Sequence, residues 1–215
     1  PYEISFGLMT ALMLHHVNGS VVKAAVGEQN VSLFSAVLPA TAALLAPAFG
    51  AACERGALSN PAALLLGIVA FLLELVAVHV LSLPGDAPSA SLLAVTVIYA
   101  LHGVGRATFE SANKALLADM FGSTDDVSAA FACVVALSGG ASAFGFFVFP
   151  HMSVVSMLRL CEVSALTAAV CQVKIWHLNA KKLEAEIGSK AHDVESHGGH
   201  LDSHQCPSPR YWVGK

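Results

Sequence analysis

The chain has 215 residues, of which 55% are hydrophobic and 12% charged, with a formal net charge of −4. Soluble domains carry about 25% charged residues, so an ordinary water-soluble globule is excluded, and the slight acidity offers no basic surface for nucleic acid. A mean hydropathy of +0.66 points to an integral membrane protein.

A bilayer core of about 30 Å takes around 20 apolar residues as helix. Six segments meet or approach that length, predicting an all-α, polytopic bundle of six transmembrane helices over residues 1–178. The first span, 4–17, is short and breaks at Asn18-Gly19; no basic n-region precedes it, so it is not a signal peptide. The chain opens at Pro1 and reads as a fragment of a longer product. The second span, 31–53, is free of charge and holds Pro39 and Pro47, each of which removes a helix hydrogen bond and is expected to kink it. The third, 61–83, starts at a proline, where a missing N–H costs nothing. The fourth, 91–120, is over-long because it carries a polar seam; the fifth and sixth are 127–149 and 154–178.

The connections at 19–29, 54–60, 84–88, 122–126 and 150–153 are short and carry Gly, Pro, Asn or Asp, the expected turn chemistry. Basic residues collect on one side (Arg55, Lys114, Lys174, Lys181, Lys182), against Lys23 and Arg159 on the other. The positive-inside bias puts both ends of this segment in the cytoplasm, without saying which membrane holds it. Asn18-Gly-Ser and Asn30-Val-Ser are acceptor sequons in the expected outer loop, too close to the bilayer for ready modification. Ser138 to Ala143, with Gly145, gives the fifth span a smooth surface for close helix approach.

From 179 to 215 the chain turns polar. One or two helical turns along the membrane are expected after Lys181-Lys182, then a largely disordered cytoplasmic tail beyond Gly188. His192, His197, His200, His204 and Cys206 lie in it, but their spacing matches no closed tetrahedral zinc site. Five cysteines without a CxxC pair are read as free thiols. No GxSxG, HExxH, Walker lysine or dinucleotide fingerprint is present, so neither an enzyme, nor a cofactor, nor a resident metal is expected.

Ionisable groups in spans are costly and mark function by default. On an α-helix, His102, Arg106, Glu110 and Asn113 fall within roughly an 80° arc. Arg106–Glu110 and Glu110–Lys114 share i,i+4 spacing, so the charges can neutralise one another. This face is the candidate for a substrate cavity or gate, and otherwise for an interhelix salt-bridge network; Lys114 and Asp119 read as a clamp nearer the cytoplasm. Glu74, a further cavity or gating candidate, sits mid-span among apolar neighbours, where a carboxyl is expected to be neutral, paired across helices, or bonded to a helix backbone. Arg159 and Glu162 satisfy each other near the interface, and His15-His16 closes the first span at the outer surface.

Six spans with short loops and both ends inside resemble one half of a major facilitator superfamily protein. Gly50-Ala-Ala-Cys-Glu54-Arg55-Gly56 resembles that superfamily's cytoplasmic loop motif, with Glu in place of Asp and without the trailing basic residues. Gly103-Val-Gly105-Arg-Ala-Thr-Phe-Glu110-Ser-Ala-Asn113-Lys-Ala-Leu-Leu117 resembles the tenth-to-eleventh span region of the Unc-ninety-three-like family, and Asn18 to Gly27 its loop after the seventh span. The resemblance implies that a first six-span half is missing and that the chain is transporter-like. It equally admits a non-transporting regulatory or trafficking subunit for an ion channel or receptor. A third, weaker alternative is a complete six-span channel that oligomerises.

Overall fold

The computed structural model describes residues 1–82, 92–122 and 126–196, with side chains described through Leu178. Every regular element among them is helical, and there are no strands. Six helical rods result: α1 (residues 2–26), α2 (Glu28–Glu54), α3 (Asn60–Ser82), α4 (Leu92–Phe121), α5 (Val127–His151) and α6 (Val154–Ser196). Five are long and apolar enough to cross a membrane, α6 through its Val154–Leu178 portion. The exception is α1, which is long enough in residues but carries His15, His16 and Asn18 in its second half.

Helix α1 departs most from expectation. It does not stop at Asn18-Gly19 but runs on through a π-helical stretch, Met13–Val22, before Gly27 ends it with φ of 81°. The wider turn carries Gly19 within the helix, and the Asn18 side chain is held by the Tyr99 hydroxyl instead of initiating a turn. The Asn30 side chain likewise donates to the Val26 carbonyl at 2.7 Å. Neither sequon therefore presents the free loop that an acceptor asparagine needs.

Helix α2 is interrupted once, at Ala36, and restarts at Val37, so Pro39 occupies a first turn where a missing N–H is tolerated. Pro47 lies inside the unbroken remainder. The α2 terminus is a Schellman cap: Gly56, with φ of 72°, donates to Cys53 and Ala57 donates to Ala52. Ser59 then caps α3, its hydroxyl accepting from the Ala62 amide at 3.3 Å. The last helix continues to Ser196, well past the one or two turns expected after Leu178. Its extension is rich in Ala, Lys and Glu, all strong helix formers. The turn expected at 84–88, and His197, His200, His204 and Cys206, lie outside the described residues. Cys53, Cys133, Cys161 and Cys171 are free thiols.

The packing divides the bundle into two equivalent triplets. Helix α1 packs on α5 and α6, α4 packs on α2 and α3, and α3 packs on α6. Exchanging the first three helices with the last three leaves this pattern unchanged. Details repeat as well. Gly7 of α1 meets the α5 backbone at Ser138 and the Ala141 methyl, and Gly103 of α4 meets Leu38 and Thr41 of α2. Both α1 and α4 contain a π-helical stretch, in α4 at Phe109–Asn113. Helices α2 and α5 are the least buried of the spans, leaving one side of the bundle open between them.

The core lies between α1, α3, α4 and α6. Phe71, Tyr99, Leu64, Ile68, Met9, Leu12 and Leu158 are almost wholly excluded from the surface. Phe6 and Phe109 stack with ring centroids 4.0 Å apart, and Tyr2 bridges α1 to α4 by donating to the Gly105 carbonyl at 3.0 Å. Close contact of α3 with α4 requires two glycines: a β-carbon on Gly105 would enter the Phe71 ring, and one on Gly67 would meet Thr108. Large apolar side chains such as Leu73, Val76, Phe147 and Val163 point outward, as expected where lipid is the solvent.

Candidate functional site

A half-open cavity of about 360 Å³ lies on the exposed side of the bundle. Helices α1, α2, α4 and α5 supply its walls. The apolar part comes from Phe6, Met13, Leu14 and Leu38, while Thr10, Asn18, Ser35, Tyr99, Ser138 and Ser142 make a polar flank. Three titratable groups from one face of α4 also line it: His102, Arg106 and Glu110. Pro39 is part of the wall just past the α2 interruption, so the break that frees the backbone lies beside the cavity.

Behind the wall, Glu74 of α3 is fully buried (0% exposed) and His102 nearly so (2%). The His102 Nδ1 lies 3.1 Å from each Glu74 carboxylate oxygen. A lone charge in such a place costs many kcal/mol, so burial favours the two side chains as a pair over either one charged by itself. The Phe71 ring covers His102 at 5.5 Å between centroids, and the same ring fills the space left by Gly105. Glycine at 105 is thus what lets Phe71 press against α4 and shield the pair.

Arg106 and Glu110 sit one turn apart but form no ion pair. Glu110 binds Lys114 instead, and the two side chains are 38% and 45% exposed. Among the described residues Arg106 has neither an ion-pair partner nor a hydrogen-bond acceptor. The π turn at Phe109–Asn113 shifts later residues of α4 out of the α-helical register. Asn113, placed with the seam on a regular helix, is buried away from the cavity wall, its amide nitrogen without a partner. The clamp expected at Lys114 and Asp119 resolves into two contacts: Lys114 to Glu110, and Asp119 accepting from the Asn60 amide at 3.3 Å, which ties α4 to the start of α3.

Among the polar wall, Tyr99 donates to the Asn18 carbonyl oxygen and sits 3.5 Å from the Ser35 hydroxyl. Ser138 donates to Val134, Ser142 to the Gly7 and Ser138 carbonyls, and Thr10 to Phe6. Tyr99 stands three residues before His102, a spacing that puts both on one helix face; that signal could have placed it in the seam. Asn18 carried no comparable mark beyond its sequon. His16, expected at the outer interface, is buried in the bundle, its Nε2 3.1 Å from the hydroxyl of Ser82 at the end of α3. Arg159 is exposed, and no ion pair joins it to Glu162 among the described residues.

The loop residues Gly50, Glu54 and Arg55 lie at the α2 end. Gly50 has open space where a β-carbon would be, and Glu54 and Arg55 are exposed around the Schellman cap. Gly56 accounts for the cap on its own.

The small-residue stretch of α5 is used on one side only. Ser138, Ala141, Ser142 and Gly145 face α1, with Gly145 against Ala11, whereas Gly139 and Gly140 have no atom within 4 Å of a would-be β-carbon.

An all-helical fold with several membrane-length apolar spans defines the class as a multi-pass integral membrane protein. Searches with family models, curated proteins and solved structures gave no match to this chain.

Proposed function

We propose that the chain is one six-span half of a carrier of the major facilitator type, most similar to the Unc-ninety-three-like family, with its cargo in the α1–α2–α4–α5 cavity. One observation carries the reading: the cavity opens between the least-buried helices, and its wall bears His102, Arg106 and Glu110. Charged groups in a membrane bundle belong where protein or water meets them.

The two exchangeable triplets add support. With all six helices crossing, each triplet has an odd number of spans, so the second is inverted relative to the first, the internal symmetry typical of such carriers. In this reading α1–α6 are the seventh to twelfth spans, both ends face the cytoplasm, and a preceding six-span half covers the open side. Alternating access then rocks one half against the other around the cavity.

Uptake into vesicles containing the full-length protein, across several ions and pH values, tests this. Glu110→Gln is expected to abolish flux with surface level and folding intact. Wild-type flux indistinguishable from protein-free vesicles across that panel would refute the carrier.

A second reading, a non-transporting subunit that holds an ion channel or receptor, draws on Gly140, which lies outside the cavity lining and whose open face would let another helix approach closely. It predicts that Gly140→Leu, outside the cavity lining, abolishes partner pull-down while Glu110→Gln does not.

A further inference from the structure

We infer that the cavity is an anion site: it takes a small organic acid whose carboxylate is held by Arg106 and whose apolar body lies against Phe6, Met13 and Leu38. The inference rests on the carrier reading above and deepens it by naming the class of cargo.

Four ionisable side chains other than Arg106 lie in or next to the cavity, and they cancel in pairs. Glu74 and His102 lie 3.1 Å apart and buried, where a net charge on the pair is disfavoured. Glu110 is neutralised by Lys114. Arg106 is left as a single positive charge on the wall, without an acceptor among the described residues. A guanidinium is always protonated, presents five N–H donors in a planar fork, and matches a carboxylate in a bidentate fashion.

The hydrogen bonds of the wall select the same kind of ligand. The hydroxyl protons of Thr10, Ser138 and Ser142 go to backbone carbonyls. The Tyr99 proton goes to the Asn18 carbonyl oxygen, which leaves the Ser35 hydroxyl to donate to Tyr99. What remains on the wall is the Arg106 guanidinium and the Asn18 amide N–H₂, both of them donors, beside the second ring nitrogen of His102 and the Glu110 carboxylate, whose charge Lys114 meets. A wall that offers donors and one positive charge favours a ligand with acceptors and one negative charge.

Size and polarity narrow the class further. A volume of about 360 Å³ is at the small end for organic ligands. The apolar wall rewards an aromatic or short aliphatic body. A free inorganic anion would leave that wall wet, so a monocarboxylate with an apolar end fits better than phosphate or sulfate.

The test uses full-length protein in lipid nanodiscs and radiolabelled benzoate, with benzyl alcohol and benzylammonium as neutral and cationic competitors of similar shape. Expected are saturable benzoate binding above empty nanodiscs and no displacement by benzylammonium. Arg106→Gln should weaken binding at least tenfold, and Arg106→Lys, which keeps the charge and loses the fork, should fall between. Should Arg106→Gln fail to fold, the wild-type comparison of the three probes and the Lys variant still decide. Binding no greater than in empty nanodiscs, equal binding by a folded Arg106→Gln protein, or preference for benzylammonium overturns the inference. The last result would mean that the covering half brings a carboxylate onto Arg106. Benzoate bound in nanodiscs yet not moved across vesicle membranes would refute the carrier while leaving the anion site standing.

Discussion

Removing either member of the Glu74–His102 pair should destabilise the bundle more than removing both. The two side chains are 0% and 2% exposed, so solvent screening does not reduce the effect. Breaking a buried pair from one side costs roughly 3–5 kcal/mol, because the surviving group stays buried without its partner. Where that survivor sheds its charge, the loss falls to about 1–3 kcal/mol for an unsatisfied polar group. His102→Ala and Glu74→Ala are each expected to fall within these bounds, with the cavity left by the imidazole adding to the first. Glu74→Leu with His102→Leu leaves no orphan and presses apolar groups against Phe71, so the double variant should be within about 1 kcal/mol of wild type or above it. Unfolding in mixed micelles, followed by helical circular dichroism as denaturing detergent increases, measures all of these, and the single Glu74→Leu and His102→Leu variants close a double-mutant cycle with the double variant. Additive losses in the double variant, or single variants within about 0.5 kcal/mol of wild type, would show that the pair does not carry the α3–α4 contact as described.

Glycine substitutions should separate by location. Gly105→Ala drives a methyl into the Phe71 ring and should cost about 1–3 kcal/mol, whereas Gly139→Ala meets open space and should be neutral in the same unfolding assay. Gly56→Ala places a β-carbon at φ of 72° in the Schellman cap and should lose about 1 kcal/mol; thermal unfolding in detergent gives the value. Cys53, half-buried at the α2 end beside Glu54 and Arg55, serves as a reporter of sidedness. With the other cysteines replaced, a membrane-impermeant maleimide should label it in inverted vesicles and not in right-side-out ones, and the opposite pattern would reverse the proposed orientation.

The distribution of polar residues shows where linear reading reaches its limit. Glu74 stands out as a carboxyl in an apolar run and His102 as the head of a polar face, but they are 28 residues apart on different helices. Only packing of α3 on α4, permitted by Gly105 and Gly67, brings them together. Arithmetic at a fixed helical period places Asn113 with Arg106 and Glu110, and the π turn at Phe109–Asn113 removes it. The same arithmetic allows Arg106 and Glu110 to pair, whereas Glu110 turns to Lys114. In α1 the Asn18-Gly19 break is a sound local reading that tertiary contact overrides, since Tyr99 of α4 occupies the asparagine.

Composition by itself determined that this chain lives in lipid as helices, because a hydrocarbon layer about 30 Å thick admits few other ways to satisfy a backbone across long uncharged runs. It also marked nearly every span and the turn glycine at position 56. Tertiary structure decided which charges cancel, which stays free, and which face of α5 is left bare. Those outcomes depend on distances between helices remote in sequence, and hydrophobic periodicity along one helix contains no information about the register of its neighbour.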